Sequence, residues 1–132
     1  MMSARSKAHA QVFLSFALSD KRLAERVTHS LRAADITVVR ADEVGAGDQY
    51  DNVIRDALKQ SDAVVVALSH VGKRQDISAN VLFEIGAAVG ADKPIYVIVD
   101  DATARLRFNV PNLQVLPISR LGEVADKLRV AA

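Results

Sequence analysis

Apolar residues in this chain fall into short runs, and between the runs they recur with helical spacing. The short runs are rich in β-branched residues, which favour strands that are buried inside a sheet. The predicted strands cover residues 11–17 (QVFLSFA), 36–39 (ITVV), 62–68 (DAVVVAL), 94–99 (PIYVIV) and, with a weaker pattern, 113–118.

Between the strands, apolar residues three and four positions apart indicate helices with one buried face. The stripes that show this spacing are Leu23, Ala24, Val27 and Leu31; Val53, Ile54, Ala57 and Leu58; and Leu121, Val124, Ala125 and Leu128. Ser19 and Asp20 offer an N-cap to the first helix, Asp35 ends it, and Asp48 offers an N-cap to the second.

Strands that alternate with helices predict an α/β domain with a flavodoxin-like three-layer architecture. We expect a five-stranded parallel sheet in the order 2-1-3-4-5, with helices on both faces. In such sheets ligands bind beyond the carboxyl ends of the strands, where strands 1 and 3 diverge. The loops that gather at this edge begin at Ala17, Arg40, Ser69 and Asp100.

Residues 78–91 (SANVLFEIGAAVGA) form a helix candidate whose apolar side chains spread over more than one face, as in buried helices. Asn80 and Glu84 lie four residues apart and therefore share a face. An isolated charge is costly to bury, so Glu84 must be paired, neutralised or directed into a cleft. Either it is a reactive carboxylate at the ligand edge, or it forms a structural ion pair with Lys93 or Arg107. The residue pattern alone leaves both readings open.

Composition narrows the functional classes. Of the 132 residues, 50% are hydrophobic and 25% are charged, which suits one globular domain with its own core. We expect a flexible tail at residues 1–10 and a single domain at 11–132.

The formal net charge is +1, so no strong electrostatic field favours binding of nucleic acid. The sequence has no cysteine and shows no signal peptide or membrane span, so we expect a cytoplasmic protein without a membrane partner.

Several common sites do not fit the sequence. His9, His29 and His70 lack metal-ligand spacing, so we expect no metal site. A phosphoacceptor receiver domain needs acidic residues after strand 1 and an aspartate at the end of strand 3, where this chain reads FAL (16–18) and ALS (67–69). The P-loop, the complete dinucleotide fingerprint and the serine on a glycine elbow are missing.

The remaining candidate chemistry is that of a lone carboxylate. A carboxylate opposite a sugar carbon suits cleavage of a glycosidic bond, because it can stabilise an oxocarbenium-like transition state or attack the sugar covalently. Glu84 is the candidate for this role. Asn80, one helical turn earlier, is placed to hydrogen-bond a ribose hydroxyl or to hold Glu84.

Four segments, in this order, resemble the boxes of Toll/interleukin-1 receptor (TIR) domains, and together they cover roughly residues 11–100. QVFLSFALSD resembles the first box, and DEVGAGDQYDNVIRDAL resembles the BB loop and the helix that follows it. SDAVVVALS is similar to the third strand, and NVLFEIGAAVGADKPIYVIVD is similar to the catalytic helix and the fourth strand.

The resemblance implies an activity, because many TIR domains cleave NAD and release nicotinamide together with ADP-ribose or a cyclic isomer. NAD would be the substrate, and no separate cofactor is implied. The family's catalytic glutamate falls on Glu84. The residues that line the nicotinamide and ribose side in the family fall on Ser15, Phe16 and Ala17.

Other positions complete the expected substrate-binding set. The BB-like loop flanks the pocket through Asp42 and Gly47, and Ser69 begins another loop at the ligand edge. The chain departs from the family pattern at Asn80, where many members have tryptophan, and at Gln11, where many have aspartate. Asn80 therefore bears on which nucleotide fits.

The resemblance also implies partners. TIR domains commonly act when several copies stack, and the loop at residues 40–49 would mediate this self-association or contacts with other TIR or sensor domains. The implied setting is prokaryotic immune (antiphage) signalling. Two alternatives remain: a non-catalytic TIR interaction module, and an enzyme similar to nucleoside 2-deoxyribosyltransferases, in which a helix glutamate attacks a nucleoside sugar.

Overall fold

The computed structural model describes residues 9–43, 50–69, 85–86, 88–100 and 112–131. Within these residues the strands are β1 (Gln11–Phe16), β2 (Thr37–Arg40), β3 (Ala63–Leu68), β4 (Ile95–Val99) and β5 (Leu113–Pro117). The helices are α1 (Lys21–Ala33), α2 (Tyr50–Gln60) and α3 (Leu121–Ala131), and residues 85–86 and 88–90 are also helical. Short 3-10 turns lead into α1 and α3 and follow β2.

The strands form one parallel sheet in the order β2-β1-β3-β4-β5, which confirms the predicted order. Leu14 of β1 lies opposite Arg40 of β2 on one side and Val65 of β3 on the other. This register brings the carboxyl ends of β1, β2 and β3 to the same edge. The ligand edge predicted from the topology is therefore formed by residues that follow Phe16, Arg40 and Leu68.

Alternate side chains of the strands enter two separate core layers, one on each face of the sheet. On the α1 face, Leu14 and Ile98 pack with α1 and α3. On the α2 face, Phe13 and Val66 pack with α2 and with Ile85. Ile85 is 6% exposed, so the described part of the predicted 78–91 helix packs against the sheet.

Asp35 ends α1 by adopting a left-handed conformation (φ 65°). The amides of Asp35 and Ile36 donate to the carbonyl oxygens of Arg32 and Leu31, at 3.1 and 3.0 Å. This is the Schellman pattern, in which a left-handed residue satisfies the last carbonyls of a helix. The prediction that Asp35 terminates the helix is confirmed, with an aspartate where glycine is more common.

The helical segment before β4 ends in the same way. Asp92 has φ 58°, and the amides of Asp92 and Lys93 donate to the carbonyl oxygens of Val89 and Ala88, both at 3.0 Å. Since β4 begins two residues later, this helix ends at the amino edge of the sheet. The Lys93 ammonium donates to the Lys59 carbonyl oxygen at 3.4 Å, also at the amino edge.

Gly86 and Gly90 are both exposed, and a Cβ at either would meet no atom within 4 Å, so the packing of this helix does not require glycine at these positions. The second strand includes Arg40 and starts at Thr37, one residue later than predicted at each end. In the described residues, no helix has the length and hydrophobicity needed to span a bilayer.

Candidate functional site at the carboxyl edge of the sheet

The structure describes five of the predicted site residues, which are Ser15, Phe16, Ala17, Asp42 and Ser69. All five lie at or just beyond the carboxyl ends of β1, β2 and β3, the strands that end at Phe16, Arg40 and Leu68. Glu84, Asn80 and Gly47 lie outside the described residues, as does the predicted cap residue Asp48.

Ser15 is the most deeply buried of the five, with no exposed surface. Because side chains alternate along a strand, Ser15 projects to the α2 face, the same face as Phe13. Ile85, the residue after Glu84 in sequence, packs into the core on this face. Ser15 is thus the predicted site residue that shares a face with the described end of the 78–91 helix.

Phe16 projects to the opposite face and packs against the α1 layer, half-buried. The guanidinium carbon of Arg40 lies 5.3 Å from the centroid of its ring, within the range of a cation–π contact. Phe16 and Ser15 therefore line different sides of the sheet, and Phe16 supports a charged cluster at the end of β2.

Arg40 is the centre of that cluster, and its side chain is only 8% exposed. Its Nε and Nη2 atoms donate to Oδ1 and Oδ2 of Asp42, both at 2.9 Å, in the forked geometry typical of strong arginine–carboxylate pairs. Its Nη1 donates to Glu25 of α1. The pair with Asp42 fixes the first turn after β2, and the pair with Glu25 ties that turn to α1.

The electrostatics of the cluster follow from these contacts. The hydrogen bonds from Arg40 hold the pKa of Asp42 below its ordinary value, even though burial acts in the opposite direction. Hydrogen bonding to Asp42 and Glu25 likewise raises the pKa of Arg40 against the effect of burial. Both oxygens of Asp42 are engaged, so this carboxylate anchors the beginning of the 40–49 loop.

A second contact joins the ends of β1 and β3. Asp20, 7% exposed at the start of α1, accepts hydrogen bonds from the backbone amide of Ser69 at 3.0 Å and from the Ser69 hydroxyl. Asp20 stands at the N-cap position predicted for it, but its side chain makes no capping hydrogen bond. The prediction that Asp20 caps the helix with its side chain is wrong, because its carboxylate accepts hydrogen bonds from Ser69, 49 residues away in sequence.

A cavity of about 270 Å³ opens beside this contact, between α1 and the ends of β3 and β4. Its lining residues are Ser19, Arg22, Leu23, Arg26, Ser69 and Asp100. A second, more open cavity of about 320 Å³ lies at the amino edge, next to His9, Arg32 and Thr37. Ligands of doubly wound parallel sheets bind at the carboxyl edge, so the smaller cavity is the better placed of the two.

Sequence reasoning missed Arg40 as a buried charge and Arg22 and Arg26 as cavity residues. Arg40 carried one usable signal, since it directly follows a β-branched strand and precedes an acidic loop. Arg22 and Arg26 look in sequence like the solvated face of an amphipathic helix, and only the sheet topology brings Asp100 to them. In the described part of the chain, no group of three or more acidic or histidine side chains could hold a metal ion.

Solved structures with this architecture belong to several functional classes. The CMP N-glycosidase of Clostridium botulinum matches with a TM-score of 0.58 and 21% identity, over 90% of this chain and 98% of the other. A 2-deoxyribosyltransferase from Leishmania mexicana matches with a TM-score of 0.56 and 14% identity, over 80% of this chain and 83% of the other. A response regulator receiver domain from Bacillus halodurans matches with a TM-score of 0.56 and 17% identity, over 90% of this chain and 96% of the other. Identities this low show a shared fold alone.

At the level of sequence, the search of curated proteins finds no significant match. A family model described as TIR domain, in contrast, matches residues 12–125, which is most of the chain. The match includes the strand ends and α1, and it extends into α3. The chain belongs to the TIR domain family.

Proposed function

We propose that this TIR domain cleaves the bond between nicotinamide and ribose in NAD, with Glu84 as the essential carboxylate. The observation that carries the proposal is the family match over residues 12–125, because this range includes Glu84 and the segments that flank it. The products would be nicotinamide and ADP-ribose or a cyclic isomer of ADP-ribose. The proposed setting is prokaryotic antiphage signalling.

The packing of the neighbouring residues supports this role for Glu84. Ile85 is buried on the α2 face, and Ser15 projects to the same face at the carboxyl end of β1. The helix that contains Ile85 ends at the amino edge of the sheet, at the Asp92 turn. Lys93, one of the two cations considered as structural partners of Glu84, is directed to the Lys59 carbonyl oxygen at that same amino edge.

The proposed reaction requires a carboxylate at the ribose carbon. The bond between C1′ and the nicotinamide nitrogen breaks, and its electron pair remains on the nitrogen, which neutralises the pyridinium ring. Glu84 stabilises the oxocarbenium-like transition state or adds to C1′. Water then adds to C1′ and loses a proton, which gives ADP-ribose; in the covalent route the bond between Glu84 and C1′ breaks in this step, and its electron pair returns to the carboxylate. Attack by a nucleophile within ADP-ribose instead of water gives a cyclic product.

The other predicted residues take supporting roles in this proposal. Ser15 and Ala17 line the nicotinamide and ribose side, and Asn80 contacts the ribose and influences which nucleotide fits. Phe16 and Asp42 act together through Arg40, which holds the beginning of the 40–49 loop in place. In this proposal Gly47 is part of the loop that flanks the pocket. Ser69 is held at the carboxyl edge of the sheet by its hydrogen bonds to Asp20.

The experiment that tests the proposal is nicotinamide release from NAD by the concentrated protein, compared between wild type and Glu84→Gln. We expect release that the substitution abolishes. Glu123→Gln is a matched control, because Glu123 is an exposed glutamate on α3 paired with Arg120 and should leave the rate unchanged. Equal release from wild type and Glu84→Gln would refute the role of Glu84.

A non-catalytic interaction module is the second candidate, and membership of the family favours it because TIR domains commonly associate. In our proposal the 40–49 loop mediates self-association, and activity depends on it. Gly47→Pro should then reduce both the oligomer fraction in sedimentation and the rate of NAD cleavage. Association that persists without any NAD cleavage in wild type would favour the interaction module.

A nucleoside 2-deoxyribosyltransferase-like activity is separable from NAD cleavage by a different assay. The fold is shared with the Leishmania mexicana transferase named above, so the architecture is compatible with both reactions. Incubation with a deoxynucleoside and a second free base should give no exchanged nucleoside if the NAD proposal holds. Base exchange at a rate above that of NAD cleavage would favour the transferase.

A further inference from the structure

The outer surface of α1 and α3, the two helices on one face of the sheet, carries positive charge that its own acids do not neutralise. The exposed acids of these helices are Glu25, Glu123 and Asp126. Each of them already pairs with an arginine, Glu25 with the buried Arg40 and the other two with neighbours on α3. Any further cation on this surface therefore lacks an acid of the same surface as its partner.

The cations without such a partner lie in the first half of α1. Arg22 and Arg26 are exposed, and neither guanidinium makes a hydrogen bond or an ion pair with the residues that the structure describes. They lie four residues apart, a spacing at which like charges on a helix repel each other. Lys21 is also exposed and adds a third positive charge beside them. A surface with several negative charges would relieve the repulsion among all three.

An apolar side chain lies next to these cations. Leu18 is 84% exposed, about twice as much as Val53 and Val89, the other large hydrophobic residues exposed in the described chain. The backbone amide of Lys21 donates to the carbonyl oxygen of Leu18, so Leu18 lies one helical turn before Lys21. A single exposed leucine is ordinary on a protein surface. An apolar side chain beside a row of cations, however, is the arrangement by which peripheral proteins bind anionic bilayers.

We infer that Leu18, Lys21, Arg22 and Arg26 form a docking surface for an anionic lipid bilayer. The guanidinium groups would bind lipid phosphates through forked hydrogen bonds, and Leu18 would enter the boundary between headgroups and acyl chains. That boundary supplies both the anions and the apolar environment that these neighbouring side chains require. From the sequence we expect no membrane partner, because it shows no signal peptide or span, but binding at a bilayer surface requires neither.

This surface is separate from the proposed catalytic residues. The buried side of α1 belongs to the core layer on the α1 face of the sheet. Ile85, next to Glu84 in sequence, belongs to the layer on the α2 face. The inference therefore goes beyond NAD cleavage and does not depend on it. Glu84→Gln should bind vesicles as wild type does.

Co-sedimentation of the whole protein with lipid vesicles provides the test. We expect wild type to bind vesicles of about one third phosphatidylserine in phosphatidylcholine, and not phosphatidylcholine alone. Arg22→Gln with Arg26→Gln should weaken binding about tenfold or more, because each cation contributes about fivefold at an anionic surface. Leu18→Gln keeps the charge and should weaken binding about fivefold, because it removes the apolar contact. Absence of binding to the anionic vesicles, or equal binding to both kinds of vesicle, would refute the surface.

A matched variant on the opposite face of the sheet makes the result specific. Arg55→Gln with Lys59→Gln removes two exposed charges that lie four residues apart on α2, as Arg22 and Arg26 do on α1. This variant should change vesicle binding less than about twofold, because α2 packs on the other face. Equal weakening by the α2 variant would reduce the effect to net charge. Unchanged binding in Leu18→Gln, or tighter binding of soluble polyglutamate than of vesicles, would assign the surface to an acidic protein instead.

Discussion

Arg40 and the pair Arg22 and Arg26 lie at the carboxyl edge of the same sheet and differ in burial and in partners. The Arg40 side chain is 8% exposed and is surrounded by two carboxylates and an aromatic ring. Arg22 and Arg26 are exposed and, within the described chain, unpaired. The charge of Arg40 is neutralised by Asp42 and Glu25, whereas Arg22 and Arg26 present positive charge to a cavity. The comparison distinguishes a charge that the fold itself neutralises from charges that stay in contact with water.

The physical reason for the difference is the cost of removing a charge from water. A buried guanidinium must find carboxylates or other acceptors in the fold, because its desolvation is otherwise uncompensated. Arg40 meets this requirement with Asp42 and Glu25, and both of those side chains keep substantial contact with solvent. Exposed arginines such as Arg22 and Arg26 carry no such requirement, because water solvates their guanidinium groups.

The largest effect should come from removing both partners of Arg40. Asp42→Asn and Glu25→Gln should each cost about 1 kcal/mol, because the other carboxylate remains. The double variant should cost about 3 kcal/mol, more than the sum of the two, since it leaves a buried guanidinium without a counterion. Urea denaturation of the four proteins measures the coupling. Additive losses would mean that Arg40 is hydrated in solution and would remove the contrast with Arg22 and Arg26.

The next effect concerns Asp20, the other buried charge at this edge. Asp20→Ala should cost about 2 kcal/mol, because the carboxylate that accepts from the Ser69 amide and hydroxyl is lost. Asp20→Asn keeps an acceptor oxygen of the same shape and should cost less than half as much. Thermal denaturation with calorimetry gives both values. If alanine and asparagine cost the same, the acceptor oxygen that asparagine keeps contributes little to stability.

The fold could be predicted from the sequence because its determinants are local. Hydrophobic runs and helical stripes each extend over a few residues, and they set the order and the type of the elements. The parallel sheet and its strand order then follow from the alternation, as the observed order β2-β1-β3-β4-β5 shows. The Asp35 helix end was predictable for the same reason, since the break involves only the residues beside it.

The chemistry at the carboxyl edge was less predictable because its contacts are long-range. Asp20 precedes a helix, so the neighbouring sequence predicts that its side chain caps the helix. The register of β1 and β3 instead brings Ser69 close enough to donate hydrogen bonds to the Asp20 carboxylate. The same holds for Arg40 and Glu25, which are 15 residues apart.

Acid should weaken the Arg40 group and leave Arg22 and Arg26 unaffected. Arg40 lowers the pKa of Asp42, so this contribution is complete above about pH 5 and is lost as the pH falls through 3.8 and below. The loss should not exceed about 1 kcal/mol, because the Asp42 side chain is 40% exposed and water screens the pair. Urea midpoints at several pH values, in wild type and in Asp42→Asn, isolate the contribution. Parallel pH curves for the two proteins would contradict it.

The smallest effect should have the opposite sign and should come from the unpaired arginines. Arg22→Gln with Arg26→Gln should stabilise the free protein by about 0.2–0.5 kcal/mol at low salt, because it removes repulsion between like charges four residues apart. The gain should shrink in 0.5 M salt, which screens exposed charges. Arg120→Gln with Arg129→Gln removes paired arginines and should show no gain. Urea denaturation at the two salt concentrations measures all of these changes. A clear loss of stability in the Arg22 and Arg26 variant would show that these guanidiniums hold the fold as Arg40 does.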